Sequence, residues 1–141
     1  MSQGGFESQR RAIVVHDRDH AEAALAAAAA AGVPVVLLSP PGAAAYMGAG
    51  YFRALVEAAA AAHPMAKCLG MLDCGDRAGD ALGALREGTG AIVFHGDAEA
   101  AAKIADIARQ LNAAVLAERP EALDLADAGD AAAACAAWLA A

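Results

Sequence analysis

The chain alternates between two textures. Compact apolar runs stand at AIVVH (12–16), VPVVLLS (33–39), CLGMLD (68–73), AIVFH (91–95) and AAVLAE (113–118). None alternates apolar with polar at every second position, so each reads as a strand buried on both faces, the pattern of a mostly parallel sheet. Pro34 falls at the beginning of the second run, where a strand tolerates it. Between the runs lie alanine-rich stretches with helical spacing. Ile104, Ile107, Ala108 and Leu111 mark one face of the fourth stretch, and Ala78, Leu82 and Leu85 one face of the third. Asp17, Asp76 and Asp97 are placed to cap helix starts, and Gly32, Gly88 and Asn112 to end them.

Five βα units follow from this pattern, which predicts an α/β fold. The expected architecture is an open, doubly wound, mostly parallel five-stranded sheet of flavodoxin-like type, order 2-1-3-4-5, with helices on both faces. Five units are too few for a closed eight-fold barrel. Residues 1–9 are polar and carry glycine, so they read as a flexible tail ahead of a single domain over 10–141. The longest connection, SPPGAAAYMGAGYFRALVEAAAAAHP (39–64), separates the second run from the third. The final segment reads as an acidic connector and then a terminal helix, with Asp130 as cap and Trp138 pinning it to the body.

Composition changes the picture in one respect. Hydrophobic residues make up 59 %, but alanine accounts for about a third of the chain and there are only three Phe, two Tyr and one Trp. Helices faced with alanine bury little area each, so a homo-oligomer is expected to supply part of the stabilisation. Tyr46, Tyr51 and Phe52 are the natural anchors of such a contact.

The charge is modestly acidic, with Lys+Arg 10 against Asp+Glu 17 and a net charge of −7. There is no basic stripe, which argues against nucleic acid as a partner. Arg10 and Arg11 read as solvating the entrance to the first strand. Three cysteines, and no apolar leader in MSQGGFESQRR, point to reduced thiols and a cytoplasmic location. The apolar stretch at 23–38 falls short of the ~18 to 20 residues a membrane span needs, and Gly32 and Pro34 interrupt it, so no membrane association is expected.

In open parallel sheets ligands bind beyond the carboxyl ends of the strands. Those ends carry His16-Asp17-Arg18, Ser39-Pro40-Pro41-Gly42, Asp73-Cys74-Gly75-Asp76-Arg77, His95-Gly96-Asp97 and Glu118-Arg119. The order 2-1-3-4-5 makes the first, third and fourth strands neighbours. It would bring His16, Asp73, Cys74 and His95 to one rim as catalytic candidates. Ser39, Gly42, Asp76, Arg77 and Arg18 are the candidates for holding a small anion, and a converging Arg119 would reinforce them.

Each candidate has a plainer role beside this one. The aspartates are first of all helix caps, and polar residues gather wherever a chain leaves its core. Cys74 precedes a helix N-terminus, which favours a thiolate, but the adjacent Asp73 disfavours one, leaving a small half-buried thiol as the plainer alternative. Cys68 and Cys135 read as core filling. No metal-ligand spacing is present: His16 and His20 are four apart, but one ends a strand and the other lies in a helix. No cofactor motif appears, and the glycines at 42, 48 and 50 miss the dinucleotide fingerprint. A phospho-acceptor receiver would place a lysine after the fifth strand, whereas Lys103 lies within a helical stretch. The expectation is therefore a domain that binds a small anionic metabolite, a phosphate or carboxylate, with lyase or hydrolase chemistry if it is an enzyme. The alternative is a non-catalytic sensing or assembly module acting through homo-oligomerisation.

Overall fold

A computed structural model describes residues 10–141, and the tail expected at 1–9 lies outside the described residues. The strands are β1 (Arg11–Val14), β2 (Val35–Leu38), β3 (Cys68–Asp73), β4 (Ala91–Val93), β5 (Ala114–Leu116) and β6 (Ala122–Asp124). The helices are α1 (Arg18–Ala31), α2 (Ala49–Ala62), α3 (Ala78–Arg86), α4 (Ala98–Gln110) and α5 (Ala131–Ala140), with single 3-10 turns at Ala43–Ala45 and Leu125–Asp127. None of these helices is long and apolar enough to cross a membrane.

The α/β class and the parallel sheet are as expected. The five apolar runs all become strands, and a sixth, β6, forms inside the acidic connector. The order is β5-β4-β3-β2-β1-β6, with every pair parallel. This order replaces the expected 2-1-3-4-5, and it changes where the helices go. From β1 to β5 each crossover steps in the same direction, and crossovers of the usual right hand then deliver every helix to the same face. The helices accordingly lie side by side: α5 and α2 flank α1, α3 follows α2, and α4 follows α3.

Strand residues divide between the two faces by the two-residue period of the pleat. Ile13, Leu37, Leu72 and Ile92 meet the helices in two clusters with residues such as Leu25, Leu55, Leu85 and Ile104. The opposite face carries Val14, Val36, Leu38, Met71, Val93 and Leu116, a third buried cluster drawn from strands alone among the described residues. Continuous apolar runs arise because both faces of β1, β2 and β4 are buried.

The link from β5 to β6 requires the sheet to curl. Five residues, 117–121, join Leu116 to Ala122. Six chain steps reach about 20 to 22 Å when extended. Five strand spacings in a flat sheet would span about 24 Å before any return along the strand direction. The two outer strands are therefore drawn toward each other, and the helix-free face turns inward.

Caps set the helix starts. Asp17 accepts the His20 N–H at 2.8 Å, Asp97 that of Ala100 at 2.8 Å, and Asp130 that of Ala133 at 3.0 Å. Asp76 does not cap α3. The turn closed by Arg77 N–H on the Cys74 carbonyl delays the helix by one residue, and Arg77 occupies the cap position without a side-chain bond. Trp138 pins α5 as expected, its Nε1–H donating to the Ala12 carbonyl at 3.0 Å while Arg11 lies over its ring.

One glycine sets the spacing between α2 and the sheet. A Cβ at Gly70 would stand 3.2 Å from Val56 Cγ2 and 3.3 Å from Phe52 Cε2. Its absence lets the Phe52 ring pack over β3, so Phe52 is core rather than the surface anchor expected of it.

Candidate functional site

Because every strand runs the same way, all six carboxyl ends reach one edge. Asp73 closes β3 there with a buried carboxylate, only 2 % exposed as a residue. Its Oδ1 accepts the Gly75 N–H at 2.8 Å, in a tight turn where Gly75 takes φ +58. Such a backbone favours a residue without a side chain. Asp73 Oδ2 accepts from Arg119 Nη1 at 2.8 Å, and the same nitrogen donates to the Ser39 carbonyl at 3.0 Å. Arg119 comes from the β5–β6 link, so one guanidinium ties that link to the ends of β2 and β3.

Ser39 is fully buried, and its hydroxyl works in both directions. It accepts the Asp73 N–H at 2.9 Å and donates to the Pro40 carbonyl at 3.1 Å. That makes Ser39 a clasp between β2 and β3, closed to a ligand.

Beside this cluster, His16 Nε2 lies 2.7 Å from Asp124 Oδ1, linking the end of β1 to the end of β6. Burial pulls the Asp124 carboxyl pKa upward. The Ala126 N–H, the His16 bond and the neighbouring charges of His16 and Arg119 outweigh this and hold it below the ordinary carboxylate value. Arg119 therefore acts on both acids, and the four groups form an alternating series: Asp73, Arg119, Asp124, His16. Both bonds of Arg119 use Nη1, so among the described residues Nη2 and Nε remain available, on a side chain that is 25 % exposed.

His16 opens on a shallow depression of about 360 Å3 shared with Tyr46, Met47 and Tyr51. Both tyrosines are exposed. The His20 ring stands edge-on to that of His16, with centroids 5.6 Å apart, and His20 Nδ1 accepts the His16 N–H at 3.1 Å. The two histidines thus touch across the strand-to-helix turn without sharing a helical face.

The remaining candidates disperse. The order of the sheet puts β2 between β1 and β3, so His16 is not the neighbour of Asp73, and His95 lies exposed beyond β4. Cys74 points to the helix side, 1 % exposed, and burial, then the charges of Asp73 and Asp80, push its pKa up to about 12. Both causes favour the thiol over the thiolate and so argue against a nucleophilic role. Arg18 pairs with Glu22 and Arg77 with Asp80, each along its own helix at the surface, so neither converges with Arg119. Asp76 is exposed, and Gly42 only opens the three-residue turn Ala43–Ala45, too short to present a helix dipole.

Asp124 was not legible in the sequence as a site residue. It belongs to a three-residue strand inside an acidic connector, and its one signal was an aspartate following the apolar Leu123. Among the described residues no group of three or more His, Cys, Asp or Glu side chains is placed to hold a metal ion. No known protein family matches this sequence, and neither does any curated protein.

Proposed function

We propose that the protein binds a small anionic metabolite, a phosphate or carboxylate, at the carboxyl edge of its sheet. The observation that carries this reading is the series Asp73–Arg119–Asp124–His16, whose guanidinium keeps N–H groups free and whose His16 end opens on a depression. Asp73 and the Ser39 carbonyl fix the fork of Arg119, which suits it to bidentate contact with an anion. His16, oriented by Asp124, is the group to move a proton on the bound molecule. Catalysis on this arrangement would be proton transfer in a lyase or hydrolase.

A thermal-shift panel of inorganic phosphate, sugar phosphates and small carboxylates tests the reading. A ligand at ~100 times its dissociation constant adds about 2.7 kcal/mol of stability. That gain should largely vanish in Arg119→Lys, which keeps the charge but loses the fork, and persist in His16→Gln. An unchanged melting temperature across the whole panel would sink the proposal.

The exposure of Tyr46 (70 %) and Tyr51 (57 %) favours a second reading, an assembly module joined through this face. Replacing both with alanine should then lower the mass seen by sedimentation. Phe52, being core, plays no part in it.

A further inference from the structure

Charge is not balanced at the carboxyl edge. Arg119 brings one positive charge, and Asp73 and Asp124 bring two negative ones, so these three groups leave one negative charge in excess. An arriving anion meets that excess. His16 is the group placed to cancel it, with Nε2 2.7 Å from Asp124 Oδ1 and a side chain 33 % exposed, open to protons from water. Asp124 is held as a carboxylate and can only accept, so Nε2 carries the hydrogen of that bond and a second proton goes to Nδ1. Among the described residues Nδ1 has no hydrogen bond to lose by taking it. The other groups facing His16 are His20 from α1, whose Nδ1 is taken as the acceptor of the His16 N–H, and the neutral Tyr46, Met47 and Tyr51. Arg119 acts from the β5–β6 link, and its charge opposes a second cation until an anion offsets it.

The guanidinium also limits the partner. Its Nη1 is taken by Asp73 and Ser39, which leaves the edge formed by Nε and Nη2, two near-parallel N–H groups that match the two oxygens of a carboxylate. Removing an ion from water costs more steeply than in proportion to its charge, and a site without net positive charge does not offset that cost for a dianion. On the footing of the anion site above, we propose that its ligand is a singly charged acid, a carboxylate, and that it binds together with one proton taken up by His16. His16 then enters the complex as an acid, with an Nδ1–H to give.

The test uses formate and methanesulfonate, which carry one charge, and sulfate, which has nearly the shape of methanesulfonate and carries two. All three keep their charge between about pH 5.5 and about pH 8.5, the range that brackets histidine titration. NMR titrations of the full chain give a dissociation constant at each end of that range, and the His16 ring signal gives its own titration midpoint. Formate and methanesulfonate should bind about threefold or more tighter at the lower pH, the size expected of two unit charges roughly 8 Å apart near a protein surface. By linkage, saturating methanesulfonate should raise the His16 midpoint by the same factor, about half a pH unit or more. Sulfate should bind more weakly than methanesulfonate at both ends. In His16→Gln binding should persist and lose its pH dependence. Asp124→Asn removes the excess charge and should bind methanesulfonate more tightly than wild type at the upper pH. Equal affinity at the two pH values, or a pH dependence that survives in His16→Gln, would overturn the coupling while the anion site stands. Sulfate as the tighter ligand would overturn the singly charged class. Binding of none of the three ions, even at the lower pH, would remove the anion site itself and this inference with it.

Discussion

Asp124 joins three influences in one carboxylate: a backbone N–H, an imidazole and the charge of a guanidinium that serves another acid. Its pKa in the fold is depressed from an ordinary 3.8, so the folded chain takes up that proton less readily than the unfolded one. The stabilisation is therefore fully present above pH 3.8 and is lost as pH falls through the lower folded value. With the side chain 38 % exposed, solvent screening limits the effect to on the order of 1 kcal/mol or less. Denaturant titrations of wild type and Asp124→Asn at a series of acidic pH values should show a shallower acid loss in the variant. Equal slopes would mean that the His16 pair contributes nothing to the fold. Thiol chemistry offers a second check on the same scale. Cys74 and Cys135 are buried and Cys68 only partly so. A thiol reagent at neutral pH should label Cys68 in the native chain and reach the other two only on unfolding, and early labelling of Cys74 would restore it as a nucleophile.

Helix starts separate aspartates that look alike in sequence. Asp97→Ala and Asp130→Ala each remove a cap bond and should cost about 1 kcal/mol in denaturant unfolding. Asp76→Ala removes none and should stay within about 0.5 kcal/mol. A cost at Asp76 equal to that at Asp97 would show that the cap had been misplaced. The elements themselves were largely legible, because strands buried on both faces leave unbroken apolar runs that glycine and aspartate punctuate. β6 was not, since Ala122-Leu123-Asp124 is too short to form a run and is specified by pairing with β1. With it went Asp124, and so half of the His16 pair. The strand order was equally hidden. Five similar units carry no local mark of which way each crossover steps, and an expected neighbour relation between β1 and β3 rested on that direction. Phe52 illustrates the remaining gap: its burial depends on Gly70, eighteen positions away on another element.

At the scale of the molecule, Arg119 and Asp73 hold the β5–β6 link across the mouth of a curled sheet. Arg119→Ala would strand a buried carboxylate and should cost about 3 to 5 kcal/mol. Replacing both partners with apolar residues of similar size, Asp73→Leu with Arg119→Met, should recover much of that loss while abolishing the proposed anion binding. A double variant as unstable as the single one would mean that the link is held by something other than the pair. The order of the strands has one more consequence, which concerns the route of the chain. Only β6 lies out of sequence, beside β1, and the Arg11 side chain donates to the Ala141 carbonyl at 2.9 Å, so the start of β1 lies within one arginine side chain of the last residue. A circularly permuted protein that joins them through a short linker and opens between Ala117 and Glu118 would read its strands in their spatial order from one side of the sheet to the other. Its most distant pairings, β1 with β6 and α1 with α5, would become local. Lower contact order should make it refold faster than the natural chain in stopped-flow measurements. It would also show, by keeping or losing its curl, whether the five-residue link bends the sheet or merely follows a bend the strands make themselves.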